Sequence, residues 1–281
     1  MPGILLHLAG PLQSWGEHSH FSDRDTLAFP SRSGLTGLLA AALGRRRHEP
    51  LDEFAALSTT IRADRPGSRL RDFHTVGGGL NGPRTVATAD GGRRSGDTST
   101  LTSTRWYLTD AAFTVALTLT DHTDPPTAWT DALANPRWPL YLGRRSCPPT
   151  GPLLLGRSTD ALHDLVHLPL AQPHPRTQAG QDTDPNIDVL FLSDQPLNTL
   201  PAPQDDPYAD TTQEHSTVLD NPVDFTPNHR RYRARPLYRR TVTLPAANCA
   251  GYGTQHLQTL TDYASSSFQS AARPAAQGSP Q

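Results

Sequence analysis

Arginine beside small polar or aromatic residues recurs at four places in this chain, and each placement could grip phosphate. The sharpest is Phe29–Arg47, FPSRSGLTGLLAAALGRRR. Ser31, Arg32 and Ser33 bring two hydroxyls and a guanidinium to the point where an apolar helical run begins. Free N–H groups and a partial positive charge make a helix start an anion site. Gly34 and Gly37 lack side chains, so backbone or ligand can come close. The same residues also suit a capped core helix whose glycines pack on a sheet. Second, RPGSRLRDFHTV interleaves Arg65, Arg69, Arg71 and His74 with Phe73, and Arg84, Arg93, Arg94 and Arg105 follow. Guanidinium groups can hold a nucleic-acid backbone while aromatic rings stack splayed bases. A solvated hairpin pairing its Arg with its Asp is the other reading. Third, Arg144, Arg145 and Ser146 follow an apolar run in LYLGRRSCPP, as a phosphate grip or a solvated turn. Fourth, HRRYRARPLYRR, His229–Arg240, holds six Arg that could contact RNA or protein, or pair with the acidic stretch 205–224.

Catalytic readings are thinner. A metal-independent ribonuclease needs a base for a 2′-hydroxyl and a cation at the phosphate. His20, His74 and Tyr107 are candidates, but nothing in their spacing fixes a geometry. His18 and His20 have H-x-H spacing without a second ligand cluster, so no metal site is expected. GGGLNG, residues 77–82, lacks the strand-to-helix context of a dinucleotide loop, and no cofactor is expected. The chain has no lysine. That excludes a Walker-type phosphate loop, a Schiff-base lysine and a Ser-x-x-Lys nucleophile, and leaves Arg, the planar bidentate phosphate partner, to carry all cationic work.

With 281 residues, 25 basic and 27 acidic, the formal net charge is −2, which excludes a generic polyanion binder. The distribution is uneven. Residues 1–150 hold 16 Arg against 14 acidic residues, whereas 151–225 hold 2 against 12. A basic face beside an acidic one is therefore expected. Cys147 and Cys249 show no C-x-x-C spacing, which argues against zinc ribbons and thioredoxin-like sites and for a reducing cytoplasm. The N-terminus reads as no signal peptide. No run reaches the roughly 18 apolar residues of a membrane span, so no membrane partner is expected.

The elements that must position these groups follow from periodicity. GILLHLAG reads as a first strand broken by Gly10-Pro11, with His7 satisfied by a neighbouring backbone group. A polar loop of about 20 residues comes next, a length usually functional or disordered. Leu35, Leu38, Leu39, Ala42 and Leu43 form one helical stripe, capped by Ser31 or Ser33 and ended by Gly44. Arg45, Arg46 and Arg47 suit the negative end of the helix dipole. LDEFAALS suggests a helical turn or two, TTIRAD a strand, and Arg65–Thr104 a long hairpin with its tip around Gly77–Gly82. A strand from Arg105, a bulge at Thr109-Asp110, an alternating run from Phe113, a helix in PTAWTDALANP and a strand in RWPLYLGRRSCPP complete a β-α-β-(arm)-β-α-β order. That order predicts an α+β, ferredoxin-like (RRM-like) domain over residues 1–150 with the arm at about 65–104. Residues 151–250 form a C-terminal segment: STDALHDLVHLPL and AGYGTQHLQTLTDYASSS read as helices, NIDVLFLSD and RARPLYRRTVTLPA as strands. Residues 265–281 read as a disordered tail.

LLHLAGPLQSWG, FPSRSGLTGLLAAALGRRR, IRADRPGSRLRDFHTV, STRWYLTDAAFTVAL and WPLYLGRRSCPP occur in this order. Together, over roughly residues 4–150, they resemble the CasD family, RAMP-type subunits of type I-E CRISPR Cascade. The resemblance implies an RRM-like domain with a projecting thumb. It also implies a non-catalytic role, in which the 5′ handle of crRNA is gripped, the thumb meets the backbone subunit CasC, and the large subunit CasA and, indirectly, target DNA are further partners. Cutting of the precursor belongs in that family's complexes to another subunit, CasE. On this reading Gln13, Ser14, Trp15, Ser31, Arg32, Ser33 and Gly34 line one cleft, and Arg69, Arg71, His74, Arg84, Arg105, Arg144 and Arg145 complete the RNA surface. Arg45–Arg47, a helix length of roughly 20 Å away, would do another job.

Overall fold

The computed structural model describes residues 1–17, 22–78, 84–88, 92–94, 99–175, 186–201, 214–227 and 229–267. Strand β1 (Gly3–Ala9) opens the main sheet. GILLHLA is nearly all apolar rather than alternating because both of its faces are covered. Around it lie β4 (Leu57–Arg65), β7 (Ala112–Leu119) and β8 (Leu154–Ser158), in the order β4-β7-β1-β8, every pair antiparallel. Helices α1 (Arg32–Ala42) and α2 (Thr127–Ala134) make the crossovers. This is the split β-α-β order. The sheet does not stop at residue 150. It continues past β4 through β9 (Asn186–Ser193), β11 (Arg231–Pro245) and β10 (Glu214–Asp224), giving seven strands, and β8 itself lies beyond that point.

Parity along β1 separates two cores. Ile4, Leu6 and Leu8 pack with Leu35, Leu38, Leu39, Phe113, Val115 and Trp129 on the α1–α2 side. Leu5 packs with Leu165, Phe191, Val242 and Leu260 under α3 (Ala161–His167) and α4 (Gly253–Ser267). His7 shares the second side and is buried against His256, ring centroids 4.9 Å apart. Its ring makes no hydrogen bond to a backbone group among the described residues, and its buried Nδ1 has no partner there, so the backbone satisfaction expected of it is not found. Burial lowers its pKa from 6.5 to about 4; Asp64 pulls the other way, and His256, Arg62 and Arg65 reinforce the drop. Beside it, Arg62 and Asp64 form a fully buried ion pair at 2.7 Å. Arg62 donates to the carbonyls of Leu165, Leu168 and Pro169, which fixes the end of α3 to β4. Burial alone would raise the Asp64 carboxyl, but the charge and hydrogen bonds of Arg62 hold it below the usual range.

The arm is a separate sheet. β5 (Ser68–Gly77) and β6 (Thr100–Thr109) pair antiparallel over ten residues, Ser68 opposite Thr109 and Gly77 opposite Thr100. The polar loop after β1 contributes two short strands to it. β2 (Leu12–Gln13) pairs with Leu108–Thr109, and β3 (Asp23–Arg24) runs parallel to Thr104–Arg105. This part of the loop is therefore scaffold for the arm's base.

Three local expectations change. RWPLYLGRRSCPP forms no strand; residues 137–150 are irregular, because Pro139, Pro148 and Pro149 withhold ladder donors, and Leu154–Ser158 supplies the fourth strand. Thr109-Asp110 is the turn between β6 and β7, with Asp110 at φ 53°, rather than a bulge. LDEFAALS gives the helical turn expected, as one 3₁₀ turn at Asp52–Phe54 before β4. Finally, α4 runs through Ser267, beyond the residue 265 where a tail was expected to begin; residues 268–281 lie outside the described ones, as does most of the expected hairpin tip, residues 79–82.

Candidate nucleic-acid interface

The start of α1 forms as the sequence suggests but faces inward. Ser31 is the N-cap, accepting from the Gly34 N–H at 3.2 Å, and its hydroxyl lies 3.3 Å from that of Ser33. Ser31 is 2% exposed and Arg32 7%. The anion at this helix mouth comes from the chain itself: the Arg32 N–H donates to Asp220 Oδ2 at 2.7 Å. The Arg32 side chain donates Nε to Asn221 Oδ1 at 3.0 Å and pairs through Nη1 with Asp194. Asp220 is also gripped by Arg235, through Nε at 2.6 Å and Nη2 at 2.9 Å. With its cation matched and its cap filled, this mouth is a structural joint between α1 and the C-terminal strands. The phosphate site expected at Ser31, Arg32 and Ser33 is closed.

Gln13, Ser14 and Trp15 are likewise interior, not cleft lining. Gln13 Nε2 donates to the carbonyls of Leu8 and Ala111, both at 2.9 Å, while its Oε1 accepts from the Trp15 indole at 3.0 Å. Ser14 donates to the Trp106 carbonyl at 3.1 Å. The Trp15 ring lies against Gly34, where an added Cβ would come within 2.7 Å of Cε3. Gly34 therefore serves packing rather than ligand approach. At Gly37 an added Cβ would meet nothing within 4 Å.

The arm behaves differently. Strand alternation puts Arg69, Arg71, Phe73 and Thr75 on one face of β5, and register adds Trp106 opposite Arg71 and Thr104 opposite Phe73. Arg69 and Arg71 are exposed, and Phe73 is 73% exposed. Among the described residues no carboxylate lies within ion-pair distance of Arg69, Arg71, Arg84, Arg105 or Arg145. The Arg–Asp pairing that would make the arm an inert hairpin is absent at these positions. His74 is on the other face of β5, half-buried, 3.5 Å from Asp72. Arg105 is half-buried, its Nε donating to Ser103.

Arg144 is committed to structure. Its guanidinium lies 4.9 Å from the Tyr107 ring centroid and donates to the carbonyls of Trp106, Arg24 and Asp25. It clamps the loop onto the base of the arm, while Arg145 stays exposed. Gly143 makes that clamp possible: at φ +89° an added Cβ would lie 1.8 Å from the Ser14 carbonyl.

The two ribonuclease candidates among the described residues, His74 and Tyr107, do not converge. Tyr107 is 5% exposed, its hydroxyl 3.5 Å from Ser146. His74 pairs with Ser103, four residues along β6 from Tyr107, or about 13 Å at the usual strand rise. His20 lies outside the described residues. No group of three or more metal-ligating side chains occurs among the described residues, nor any helix long and apolar enough to cross a membrane.

Sequence reasoning missed Asp194 and Asn221 at the α1 mouth. Asp220 lies in the acidic stretch 205–224 weighed as a partner of the His229–Arg240 run, and Arg235 does pair with it.

Comparison with known proteins agrees with this architecture. The model of the family described as CRISPR-associated protein (Cas_Cas5) matches residues 3–238. CRISPR system Cascade subunit CasD of Escherichia coli (strain K12) is 42% identical over 214 residues, 70% of this chain and 90% of that protein. A chain of a solved CRISPR RNA-guided surveillance complex superposes with a TM-score of 0.76 at 42% identity, covering 94% of this chain and 99% of that one. A crystal structure of a Cas protein superposes with a TM-score of 0.54 at 30% identity, covering 89% and 98%. The chain belongs to the CRISPR-associated Cas5 family.

Proposed function

We propose that this chain is a non-catalytic, cytoplasmic RNA-binding subunit of a CRISPR Cascade complex, which grips the 5′ handle of crRNA and caps the backbone of the assembly. The observation that carries this reading is the open face of β5: Arg69 and Arg71 exposed and without carboxylate partners among the described residues, with Phe73 exposed beside them and Trp106 opposite. Guanidiniums take phosphates and the aromatic groups offer surfaces on which splayed bases stack. Arg84 and Arg145 are further exposed arginines without a carboxylate partner among the described residues. Arg144 holds its base in place. The backbone subunit CasC and the large subunit CasA are the protein partners that the family relationship favours, and target DNA is met through them.

The test is reconstitution of the complex with Arg69→Ala, Arg71→Ala and Phe73→Ala combined. Co-purified RNA should fall several-fold while the melting temperature of the free chain stays unchanged, and sequencing should show the retained RNA's 5′ ends scattered. Full retention of one defined 5′ end would overturn the reading. So would specific cleavage of labelled repeat RNA in EDTA that disappears in His74→Ala.

A further inference from the structure

The six arginines of His229–Arg240 are sorted by the fold into different environments. Arg235 is buried on Asp220, and Arg240 donates to the Leu197 carbonyl at 3.1 Å. Arg230, Arg231 and Arg233 are exposed at the far end of the β10–β11 hairpin. Arg231 meets Asp224 only at 3.9 Å, and Arg230 and Arg233 have no carboxylate partner among the described residues. Arg230 and Arg231 line an open cleft with His229 and Asp224.

The position of this hairpin gives those charges a direction. Arg231, Arg233 and Arg235 alternate onto one face of β11. At Arg235 that face is covered, where Asp220 also meets the start of α1. Toward the hairpin's end it is exposed, at Arg233 and Arg231; Arg233 is opposite Asn221, whose side chain holds Arg32. The neighbouring Leu219 N–H donates to Glu17 Oε1 at 2.8 Å, and the Glu17 N–H donates to Asp25 Oδ1 at 3.2 Å, next to β3 at the base of the arm. The hairpin and the base of the arm are thus linked through Glu17 and Asp25.

We infer that Arg230, Arg231 and Arg233 form a second phosphate-binding ridge for the same single-stranded RNA, entered from the C-terminal half of the chain. This inference rests on the RNA-binding reading above and adds its second contact surface. The ridge recognises the phosphodiester backbone: it presents guanidiniums and no exposed aromatic on the face it shares with Arg235, so it contributes affinity independent of sequence.

The test compares Arg231→Gln/Arg233→Gln with Arg69→Ala/Arg71→Ala in the full chain, by fluorescence anisotropy on a labelled single-stranded RNA of repeat sequence across a salt series. The hairpin variant should bind several-fold more weakly, with a log–log salt slope shallower by about 1.4 for two lost phosphate contacts. The loss should be equal for a scrambled RNA. Unchanged melting temperature in both variants separates binding from folding, and Arg233→Lys, which keeps the charge, should restore most of the affinity to a single Arg233→Gln loss. Unchanged affinity and slope in the hairpin variant, with the arm variant impaired, would overturn this inference alone. No effect in either variant would overturn both readings. A hairpin variant that binds RNA normally yet fails to enter the reconstituted complex would reassign the ridge to a protein partner.

Discussion

At the start of α1, Arg32 lies among Asp194, Asp220 and Asn221 and is 7% exposed; on β5, Arg71 faces solvent with no carboxylate partner among the described residues. Both sit in short stretches of Arg with small or polar neighbours, and both suggest phosphate. What separates them is the chain far away in sequence. Asp194 and Asp220 are 162 and 188 residues from Arg32, delivered by the strands that extend the sheet past β4. The arm, its own small sheet, brings no carboxylate to Arg69 or Arg71 among the described residues. A cation is available to a ligand only where the fold has failed to bring it an anion. That condition depends on tertiary placement rather than on the local motif.

The largest expected effect tests the interior side of this contrast. Arg32→Ala leaves the buried Asp194 carboxylate without its cation, while Asp220 keeps Arg235 and the backbone N–H of residue 32; breaking a buried pair from one side costs about 3–5 kcal/mol. Thermal or urea denaturation should show that loss directly. Arg71→Ala, exposed and without an ion-pair partner, should change stability by less than about 0.5 kcal/mol while weakening RNA binding. If Arg32→Ala kept full stability and lost RNA affinity, the contrast would be reversed.

A second expectation concerns pH. Above pH 6.5 His7 is neutral in both folded and unfolded chains. Below it the unfolded chain takes a proton that the folded chain refuses until about pH 4. Stability is therefore complete above pH 6.5 and falls as pH drops toward 4, by a maximum of roughly 3 kcal/mol at about 1.4 kcal/mol per pH unit. Burial lowers the pKa of His256 too, which acts in the same direction. Chemical denaturation between pH 4 and 7 should show the slope, and His7→Leu, which cannot take the proton, should flatten it. The arm variant Arg71→Ala should leave the slope as it is. An equally steep profile in His7→Leu would place the acid sensitivity elsewhere.

Much of the scaffold could be read from periodicity. The double-sided apolar run of β1, the stripe of α1 and the alternation in β9 declare themselves within a dozen residues. The grouping of Arg69, Arg71 and Phe73 on one face of β5 is equally local, since they follow a period of two; that the face stays open is not. Other features are not local. That Gln13 would bridge Leu8, Ala111 and Trp15 depends on contacts 98 residues apart. The fourth strand of the split β-α-β order is only five residues, and its register to β1 slips between Leu5 and Leu6, so it carries little periodic signal. The prolines of 136–149 mattered more than the apolar residues between them. Gly34 and Gly37 looked alike because nothing in a glycine states whether its missing Cβ makes room for an indole or for open space.

Those two glycines supply the smallest test. Both lie within α1, where replacing Gly by Ala gains about 0.5–1 kcal/mol of helix propensity if the space exists. At Gly37 it does, with nothing within 4 Å of an added Cβ. Gly37→Ala should therefore raise the melting temperature by a few degrees. At Gly34 the new methyl would stand 2.7–2.8 Å from the Trp15 ring. That indole is fixed by Gln13 and buried, so it cannot swing aside, and overpacking of this kind costs about 1–3 kcal/mol. Gly34→Ala should lower the melting temperature, and the two variants should move in opposite directions. RNA affinity should be unchanged in Gly34→Ala protein held well below its melting temperature, because the α1 mouth takes its anion from Asp220. A Gly34→Ala protein that is stable but no longer binds RNA would return the ligand to the helix start and erase the distinction between it and the arm.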